Sequence, residues 1–334
     1  MIKGSFLTAL VVGAALASGS LFSGSQVNEI QYVDSELWTR AFDMTVREGY
    51  AYCSFLNGLG ILDVTDKANP RLVSKLFLGG GFGIDVHESH AFVAAGSKGL
   101  QVIDVSEPLS PRIAGVLQTP GEAKDLVVRD GYAFIAHGPT GLLIADISDP
   151  RRPLVAGSLD TPGSAEAIVL DGGFAYIADA SGGLQVIDVS DPSRPVLAGT
   201  FDTPDIAEEV AVSGNHAYVA DGSSGLQVID ISDPSSPRLE SSFPTGGYAK
   251  GIAIRGNTAY VGGLYDALFK VIDISDPASL SERAELRYTF PNESWDVTID
   301  GEFAFIVDHF SGIFVVDIRE EESPQLVEIG RAHV

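Results

Sequence analysis

Carboxylate side chains that recur at a fixed spacing are the residues of this sequence best suited to chemistry. Asp179 and Asp221 lie 42 residues apart, and so do Glu166 and Glu208. Glu209 adds a carboxylate directly beside Glu208. Hard cations such as Ca²⁺ prefer several oxygen ligands at one site. We therefore predict Asp179, Asp221 and Glu209 as metal ligands, with Ca²⁺ as the ion, and we predict no other cofactor.

Aromatic and basic side chains occupy the positions equivalent to Glu166 and Glu208 elsewhere in the chain. At intervals of 40 to 45 residues, this position reads Phe42, Phe82, Lys124, Glu166, Glu208, Lys250 and Trp295. The position that follows reads Asp43, Gly83, Asp125, Ala167, Glu209, Gly251 and Asp296. Aromatic rings placed beside a few charged groups can bind a sugar or a peptide, so we predict the first set as ligand-binding residues. The alternative is that the acids are solvated or pair with the lysines, while the aromatic rings only fill the space between them.

Signatures of catalysis are absent from the sequence. It contains no Gly-x-Ser-x-Gly elbow, no His-Glu-x-x-His, no Gly-Lys-Ser/Thr phosphate loop and no paired cysteines. The six histidines are scattered. His90 and His216 share one position, which other parts of the chain fill with Tyr, Phe or Thr. We predict no catalytic residue.

The elements that must position these side chains are set by an internal repeat. The string Gly-Leu-Gln-Val-Ile-Asp-Val occurs at 99–105 and again at 183–189, and five weaker copies share its aspartate. Successive shared aspartates are 41, 42, 42, 42, 43 and 44 residues apart. They are Asp63, Asp104, Asp146, Asp188, Asp230, Asp273 and Asp317.

Each copy consists of four short apolar runs separated by turn residues. In the fifth copy the runs are 209–212, 216–220, 226–231 and 238–243, and Gly, Asn, Asp, Ser or Pro lie between them. Such runs are typical of β-strands and leave no room for an ordinary helix. Four antiparallel strands in about 42 residues form one propeller blade. The sequence therefore predicts an all-β fold, a seven-bladed β-propeller of four-stranded antiparallel blades.

Blade packing assigns roles to the repeated residues. A single four-stranded sheet cannot bury both of its apolar faces, so neighbouring blades must cover them. The aromatic residue of each second strand is predicted to pack between blades: Tyr52, Phe92, Phe134, Tyr176, Tyr218, Tyr260 and Phe305. The Asp-Val-Ser-Asp-Pro segments are predicted to be structural turns, because Asp and Ser side chains bond nearby backbone N–H groups and Pro fixes φ.

Strand order also predicts where the variable positions meet. The loop from a fourth strand to the next first strand, and the loop between second and third strands, lie at the same end of a blade. The two positions described above therefore share one end of the ring with the last position of the second strand. That position reads Phe55, Ala95, His137, Asp179, Asp221, Gly263 and Asp308. Loops at one end of a repeated scaffold are where function is expected.

The residues 184–199, Leu-Gln-Val-Ile-Asp-Val-Ser-Asp-Pro-Ser-Arg-Pro-Val-Leu-Ala-Gly, resemble the LVIVD repeat. The resemblance extends over essentially all of 30–330. It implies a β-propeller of the kind found in secreted or surface proteins of bacteria and archaea. It implies no catalytic residues, because the family is not defined by a reaction.

Charge and cysteine content narrow the partners. The chain of 334 residues carries a formal net charge of −24. Such an acidic surface repels phosphate groups, so we predict no nucleic-acid partner. Cys53 is the only cysteine, so no internal disulfide can form. It is predicted to be a buried apolar residue, because other copies place Val or Ile there.

The N-terminal residues are typical of an export signal. Lys3 precedes an apolar stretch over 6–17, and Ala15-Leu16-Ala17 fits a cleavage site between small residues. The stretch is short for a membrane span, although an uncleaved anchor is the alternative. We predict a signal peptide over residues 1–17, a flexible lead-in over 18–28 and a single propeller domain over 29–334, with no integral membrane span in the mature chain.

Two functions, besides a purely structural role, are compatible with these observations. The first is a secreted, periplasmic or cell-surface scaffold that binds an unknown extracellular protein or a glycan. The second is an extracytoplasmic hydrolase or lyase that uses the acidic residues with Ca²⁺. Propellers carry out both kinds of work, so the fold cannot decide between the two functions. The missing catalytic signatures favour binding.

The closure of the ring is left open between two segments. Gln325 to Gly330 fits the fourth strand of the last blade, and Ile30 to Val33 aligns with the same strand. Either segment can complete that blade.

Overall fold

A computed structural model describes residues 40–67, 69–264, 268–287, 294–308 and 312–331. The predicted signal peptide and lead-in lie outside these residues. The described chain is built from 28 β-strands joined by turns. No helix long and apolar enough to cross a membrane occurs in this part of the chain.

Every four consecutive strands form one antiparallel sheet in simple sequence order, which gives seven blades. The first strands are β1 (Ala41–Arg47), β5 (Ile84–His87), β9 (Asp125–Arg129), β13 (Ala167–Asp171), β17 (Ala207–Ser213), β21 (Tyr248–Arg255) and β25 (Ser294–Asp300). The second strands are β2 (Tyr50–Phe55), β6 (His90–Ala94), β10 (Tyr132–Ala136), β14 (Phe174–Ala178), β18 (His216–Asp221), β22 (Thr258–Leu264) and β26 (Phe303–Asp308).

The outer half of each blade is formed by the remaining two strands. The third strands are β3 (Gly58–Asp63), β7 (Leu100–Asp104), β11 (Leu142–Asp146), β15 (Leu184–Asp188), β19 (Leu226–Asp230), β23 (Leu268–Asp273) and β27 (Gly312–Asp317). The fourth strands are β4 (Arg71–Phe77), β8 (Arg112–Leu117), β12 (Leu154–Leu159), β16 (Val196–Phe201), β20 (Arg238–Phe243), β24 (Ser281–Arg287) and β28 (Gln325–Arg331). The predicted seven-bladed β-propeller is thereby confirmed.

The seven first strands line the central channel. Each of them lies beside the first strand of the next blade, and β25 lies beside β1. The ring is therefore closed between the seventh and the first blade. Thr298 donates a hydrogen bond to the Met44 carbonyl across this junction at 2.6 Å.

The hydrophobic core is divided among the blade interfaces. Seven clusters of buried residues each combine side chains from two adjacent blades. One of them joins Met44 and Cys53 of the first blade to Phe305 and Val315 of the seventh. All seven second-strand aromatic residues are buried, which confirms their predicted packing role. Cys53 is buried as well, as predicted.

The repeated aspartates close turns, as their sequence predicts. Each accepts a hydrogen bond from the backbone N–H two residues later, at 2.9 to 3.0 Å. At Asp104 and Asp188, hydrogen bonds from the serine side chain and from its backbone N–H lower the pKa, because they stabilise the charged carboxylate. The turns are part of the scaffold.

The seventh blade is completed by the C-terminal segment. β28 pairs with β27 over six residue pairs, from Asp317 opposite Gln325 to Gly312 opposite Arg331. Of the two segments that fit this strand by sequence, Gln325 to Gly330 therefore occupies it. Ile30 to Val33 lies outside the described residues.

Candidate functional site

Seven residues at one end of the channel form a connected set, which we call the rim. They lie at or just before the start of the first strands, because each fourth strand crosses to the next blade at this end. Four bridges each fix the residue before a rim position: Gly96 with Ala123, Gly138 with Ala165, Ala180 with Ala207 and Gly222 with Ala249. The rim residues are Phe42, Phe82, Lys124, Glu166, Glu208, Lys250 and Trp295.

The turn between second and third strands supplies these bridges. Gly96, Gly138 and Gly222 have φ between 50° and 55°, a conformation that costs Gly little. The turns of the second to fifth blades thus hold the following blade's rim residue in place. The variable loops therefore meet at one end of the ring, as strand order predicts.

Three aromatic rings cover the mouth of the channel. The ring centroids of Phe42 and Phe82 are 4.6 Å apart, and those of Phe42 and Trp295 are 5.2 Å apart in a T-shaped contact. Such edge-to-face pairs are favourable beyond the area they bury. Phe42 is 8% exposed, whereas Phe82 and Trp295 are half-buried. Phe82 and Trp295 thus keep part of their surface exposed beside the more buried Phe42.

One arm of charged residues extends from Trp295. The Lys250 ammonium lies 4.5 Å from the centroid of the Trp295 ring and forms an ion pair with Glu208. The Tyr248 hydroxyl donates a hydrogen bond to the other oxygen of Glu208 at 2.5 Å. The Lys250 and Glu208 side chains are 13% and 12% exposed, so water screens the pair only partly.

A second arm extends from Phe82. The Lys124 ammonium lies 5.7 Å from the centroid of the Phe82 ring and 3.6 Å from a Glu166 carboxylate oxygen. Glu122 is 3.7 Å from the same ammonium. Both lysines therefore combine a cation–π contact with an ion pair.

The rim is continuous from Glu166 to Glu208. Glu166 contacts Lys124, Lys124 contacts Phe82, Phe82 contacts Phe42, and the series continues through Trp295 and Lys250. The two glutamates belong to the adjacent fourth and fifth blades. The acids pair with the lysines and the aromatic rings cover the channel. This is the arrangement expected if the residues only pair with one another and fill space. It also yields one continuous surface of mixed chemistry.

A layer of carboxylates lies directly inside the rim. Asp43, Asp125, Glu209 and Asp296 follow the rim residues of the first, third, fifth and seventh blades. Gly83, Ala167 and Gly251 occupy the same position in the other three blades. All four acidic side chains are half-buried. We call these four acids the channel layer.

The small residues make room for the acids. A Cβ atom at Gly83 would lie 2.5 Å from the Cα of Asp125, and one at Gly251 would lie 2.9 Å from the Cα of Asp296. Real Cβ contacts are longer than this, so larger side chains do not fit without a backbone shift.

Aspartates of the channel tie neighbouring blades together. Asp43 accepts a hydrogen bond from Ile84 N at 2.6 Å, and Asp125 accepts one from Ile168 N at 2.9 Å. Asp85, which lies two residues after Gly83, accepts one from Val128 N at 2.8 Å. Each bond joins an acid of one first strand to the backbone of the next first strand. We infer a structural role for these contacts.

Burial makes the acids of the channel layer hard to ionise. It raises the pKa of Asp125 to about 8, with the Asp43 carboxylate as the second cause. Burial and the adjacent Asp296 raise the pKa of Asp43 well above its ordinary value. Burial and the acidic neighbours also raise the pKa of Glu209 well above its ordinary value, although Lys250 opposes this effect.

Asp43 and Asp296 interact as a pair of carboxyl groups. Burial raises the pKa of Asp296 too, but its hydrogen bond with Asp43 lowers it and raises that of Asp43. A hydrogen bond between two carboxyl groups requires one of them to be protonated. Two carboxyl groups this close cannot both ionise at low cost.

The predicted metal ligands lie in two different parts of the structure. Asp179 accepts hydrogen bonds from Thr161 Oγ1 at 2.6 Å and Gly163 N at 2.8 Å, in the loop that leads from β12 to β13. Asp221 accepts one from Asp205 N at 3.1 Å in the equivalent loop, whereas Glu209 belongs to the channel layer. Among the described residues, no group of three or more His, Cys, Asp or Glu is placed to hold a metal ion. Ca²⁺ binding therefore stays a prediction, which a Ca²⁺ titration can test.

Sequence alignment of the copies missed Tyr248 as a rim contact. It lies two residues before Lys250 and reaches Glu208 of the preceding blade. The other copies place a small or charged residue at most equivalent positions. A tyrosine next to the bridging alanine is the signal that could have identified it.

Comparison with known proteins supports the repeat assignment. The family model described as the LVIVD repeat matches seven segments, residues 40–76, 80–119, 120–161, 162–203, 205–245, 246–286 and 292–330. The crystal structure of the computationally designed Ika8 protein is similar, with a TM-score of 0.65 and 11% identity over 89% of this chain and 88% of that one. At this identity the likeness shows the fold alone. No curated protein matches the chain by sequence.

Proposed function

Because the chain belongs to the LVIVD-repeat family, we propose that it is an extracytoplasmic scaffold that binds a protein or a glycan at the rim. The repeated residues are used in the turns and in the cores between blades. The residues that differ between copies converge on the rim. A scaffold that places its variation in one contiguous surface is suited to recognition rather than to holding the ring together.

The continuity of the rim carries this proposal. Phe82 and Trp295 are half-buried, and a lysine ammonium lies over each of the two rings. Glu166 and Glu208 end the series on adjacent blades and, with their lysines, surround the rings with charged groups. Interfaces obtain much of their affinity from a few aromatic side chains surrounded by polar groups.

The proposed location rests on other observations. Lys3, the apolar residues over 6–17 and the Ala15-Leu16-Ala17 cleavage pattern favour export. Mass measurement of the N-terminus of secreted protein should place the first residue after Ala17. A chain that retains Met1 and stays in the cytoplasm would contradict the proposed location.

Binding is tested with the full chain on a glycan array and in capture from the extracellular environment of the producing cells. For any partner found, Trp295→Ala should weaken affinity by at least about tenfold, because it removes one ring of the trio and the Lys250 contact. Phe77→Ala is the matched control, since Phe77 is 65% exposed on the outer strand β4. Unchanged affinity of the Trp295 variant, with its fold intact, would refute the rim as the binding surface.

The channel layer favours the hydrolase or lyase with Ca²⁺ as a second candidate. Acids with raised pKa values occur at catalytic sites, and these four lie just inside the mouth. No catalytic signature in the sequence accompanies them, so we rank this function second. Thermal melts with and without Ca²⁺ separate the candidates, because a specific site raises the melting temperature. A rise that Glu209→Gln abolishes would support the metal-dependent function, and equal melts would count against it.

A further inference from the structure

His137 occupies a position that other blades fill with a buried carboxylate. In the fourth blade this carboxylate is Asp179, which accepts hydrogen bonds from a threonine hydroxyl 18 residues earlier and a glycine amide 16 residues earlier. At the same spacing before His137 the chain again has a threonine and a glycine, Thr119 and Gly121. A Cβ atom at Gly121 would lie 2.7 Å from Cε1 of His137, so the ring packs directly on this loop. The third blade therefore places a titratable base where the fourth has an acid.

Hydrogen bonds within the turn hold the His137 ring as a neutral imidazole with its proton on Nδ1. The hydroxyl of Thr140 donates to the His137 carbonyl at 2.9 Å, so its oxygen accepts from Nδ1 at 2.5 Å. Nε2 then carries the lone pair. The residue is 1% exposed, and Nε2 is buried without a hydrogen-bond partner among the described residues.

Protonation of this ring is unfavourable in the folded protein. Burial lowers the pKa of His137, because the charged ring loses its hydration. The charged side chains on the elements around it are Glu122, Lys124 and Glu166. A proton on Nε2 would create a buried cation whose new N–H has no acceptor, which costs free energy. The neutral ring therefore contributes stability above a pH of about 6.5, and this is lost as pH falls toward the folded pKa.

The backbone beside His137 positions the second arm of the rim from both sides. The carbonyl of the residue before it accepts a hydrogen bond from Lys124 N at 2.9 Å. The residue after it, Gly138, exchanges two hydrogen bonds with Ala165 at 3.0 and 3.1 Å. Ala165 directly precedes Glu166, which pairs with the Lys124 ammonium. Both members of this ion pair thus depend on the turn that holds the ring.

We propose that His137 is an acid-sensitive switch of the rim, in which protonation of the ring opens its turn and displaces Lys124 and Glu166. This regulation rests on the proposed binding function of the rim, and it releases a bound partner in acidic surroundings. Acid acts oppositely in the fourth blade. Burial raises the pKa of Asp179, so a proton removes charge there instead of adding it.

Amide hydrogen exchange of the full chain tests the switch without any ligand. From pH 7 to pH 5, after correction for the intrinsic rate, the amides of Lys124, Gly138 and Ala165 should exchange at least about tenfold faster. The Ala180 amide, which bonds to the Ala207 carbonyl in the equivalent turn of the fourth blade, should not. Local exchange is the suitable readout, because protonation of the channel layer stabilises the whole fold over the same range.

Two substitutions remove the titrating ring. His137→Asp places the carboxylate of the fourth blade in the third, where Thr119 and Gly121 can donate to it, and His137→Asn provides a neutral side chain. Both should abolish the acceleration by acid. His216→Asn is the matched control, because His216 begins a second strand at the end far from the rim. Exchange in the natural sequence that acid leaves unchanged, or acceleration that persists in both variants at 137, would overturn the switch.

Affinity measurements separate failure of the switch from failure of the binding function. A partner of the rim should bind the natural sequence at least about tenfold more weakly at pH 5 than at pH 7, and His137→Asn should lose most of this difference. Equal affinity at the two pH values, with exchange accelerated, would overturn the regulation of the rim. Accelerated exchange in a protein whose partners are insensitive to Trp295→Ala would support the opening of the turn but refute the rim as the binding surface.

Discussion

The acids of the channel layer alternate with small residues from blade to blade. Because the number of blades is odd, the alternation fails where the seventh blade meets the first. Asp43, Asp125, Glu209 and Asp296 belong to odd-numbered blades, and Gly83 is typical of the small residues between them. With seven blades, the seventh and the first both carry an acid and are neighbours. The carboxyl groups of Asp43 and Asp296 therefore meet and form a hydrogen bond, for which one of them must hold a proton.

This layer makes the stability of the protein depend on pH. The folded pKa of Asp125 is about 8, above the ordinary aspartate value of 3.8, so the folded state holds protons that the unfolded chain releases. The stabilisation is fully present below pH of about 4 and is lost as pH rises to about 8. We expect the free energy of unfolding, measured with urea, to fall across this range.

The contribution of the pair is isolated with Asp296→Asn. The uncharged amide cannot repel Asp43, so this variant should lose less stability than the natural sequence between pH 5 and pH 8, by roughly one kcal/mol or more. Asp202→Asn removes an exposed acid and serves as control for the overall charge. Parallel pH profiles for the two variants would argue that the pair does not hold a proton at the blade junction.

At the scale of elements, the sixth and seventh blades are joined by one carboxylate. Glu321 lies in the turn before β28 and accepts hydrogen bonds from Arg255 at 2.9 Å, Thr258 at 2.8 Å and Tyr260 at 3.0 Å. Arg283 adds an ion pair. Burial raises the pKa of Glu321, but these donors outweigh it and lower the pKa overall. The turn of one blade is thereby fixed to three segments of the other.

Glu321→Gln should destabilise the protein by about 1–3 kcal/mol, because charged hydrogen bonds are worth more than neutral ones. The lowered pKa means that the lost contribution exists above pH of about 4 and disappears as pH falls. Urea unfolding at pH 7 measures the effect, and Glu320→Gln, at an exposed neighbouring position, is the control. If both variants unfold at the same urea concentration, the carboxylate does not hold the blades together.

Sequence periodicity predicts the elements well because each strand is one short step of a repeated pattern. The rim was predictable for the same reason: Phe42 and Trp295 lie far apart in the chain but occupy the same position in neighbouring blades. The pairing of Lys250 with Glu208 appeared only as one of two alternatives. Burial of Asp179 against the loop between β12 and β13 was not predictable, since the same sequence position is compatible with a carboxylate that faces a ligand or a backbone N–H.

At the scale of the whole molecule, closure of the ring depends on packing and not on a strand from the other end of the chain. Side chains of the first and seventh blades form one core, and Lys67 donates to the Asp300 carbonyl at 3.1 Å. The sequence could not decide between the two candidate fourth strands, because both have the same apolar pattern. Only the pairing of β28 with β27 distinguishes them.

Two deletions test this closure against the alternative. Removal of residues 325–334 takes away β28 and exposes β27, so the seventh blade should lose its outer layer and the melting temperature should fall sharply or the chain should fail to fold. Removal of residues 28–36 should leave the melting temperature unchanged, because the position that Ile30 to Val33 fits is already filled. The two results are opposite in the competing arrangement, in which the N-terminal segment completes the blade and ties the chain ends together. A large drop on removal of 28–36, with little effect of the C-terminal deletion, would show that the ring is closed by the start of the chain.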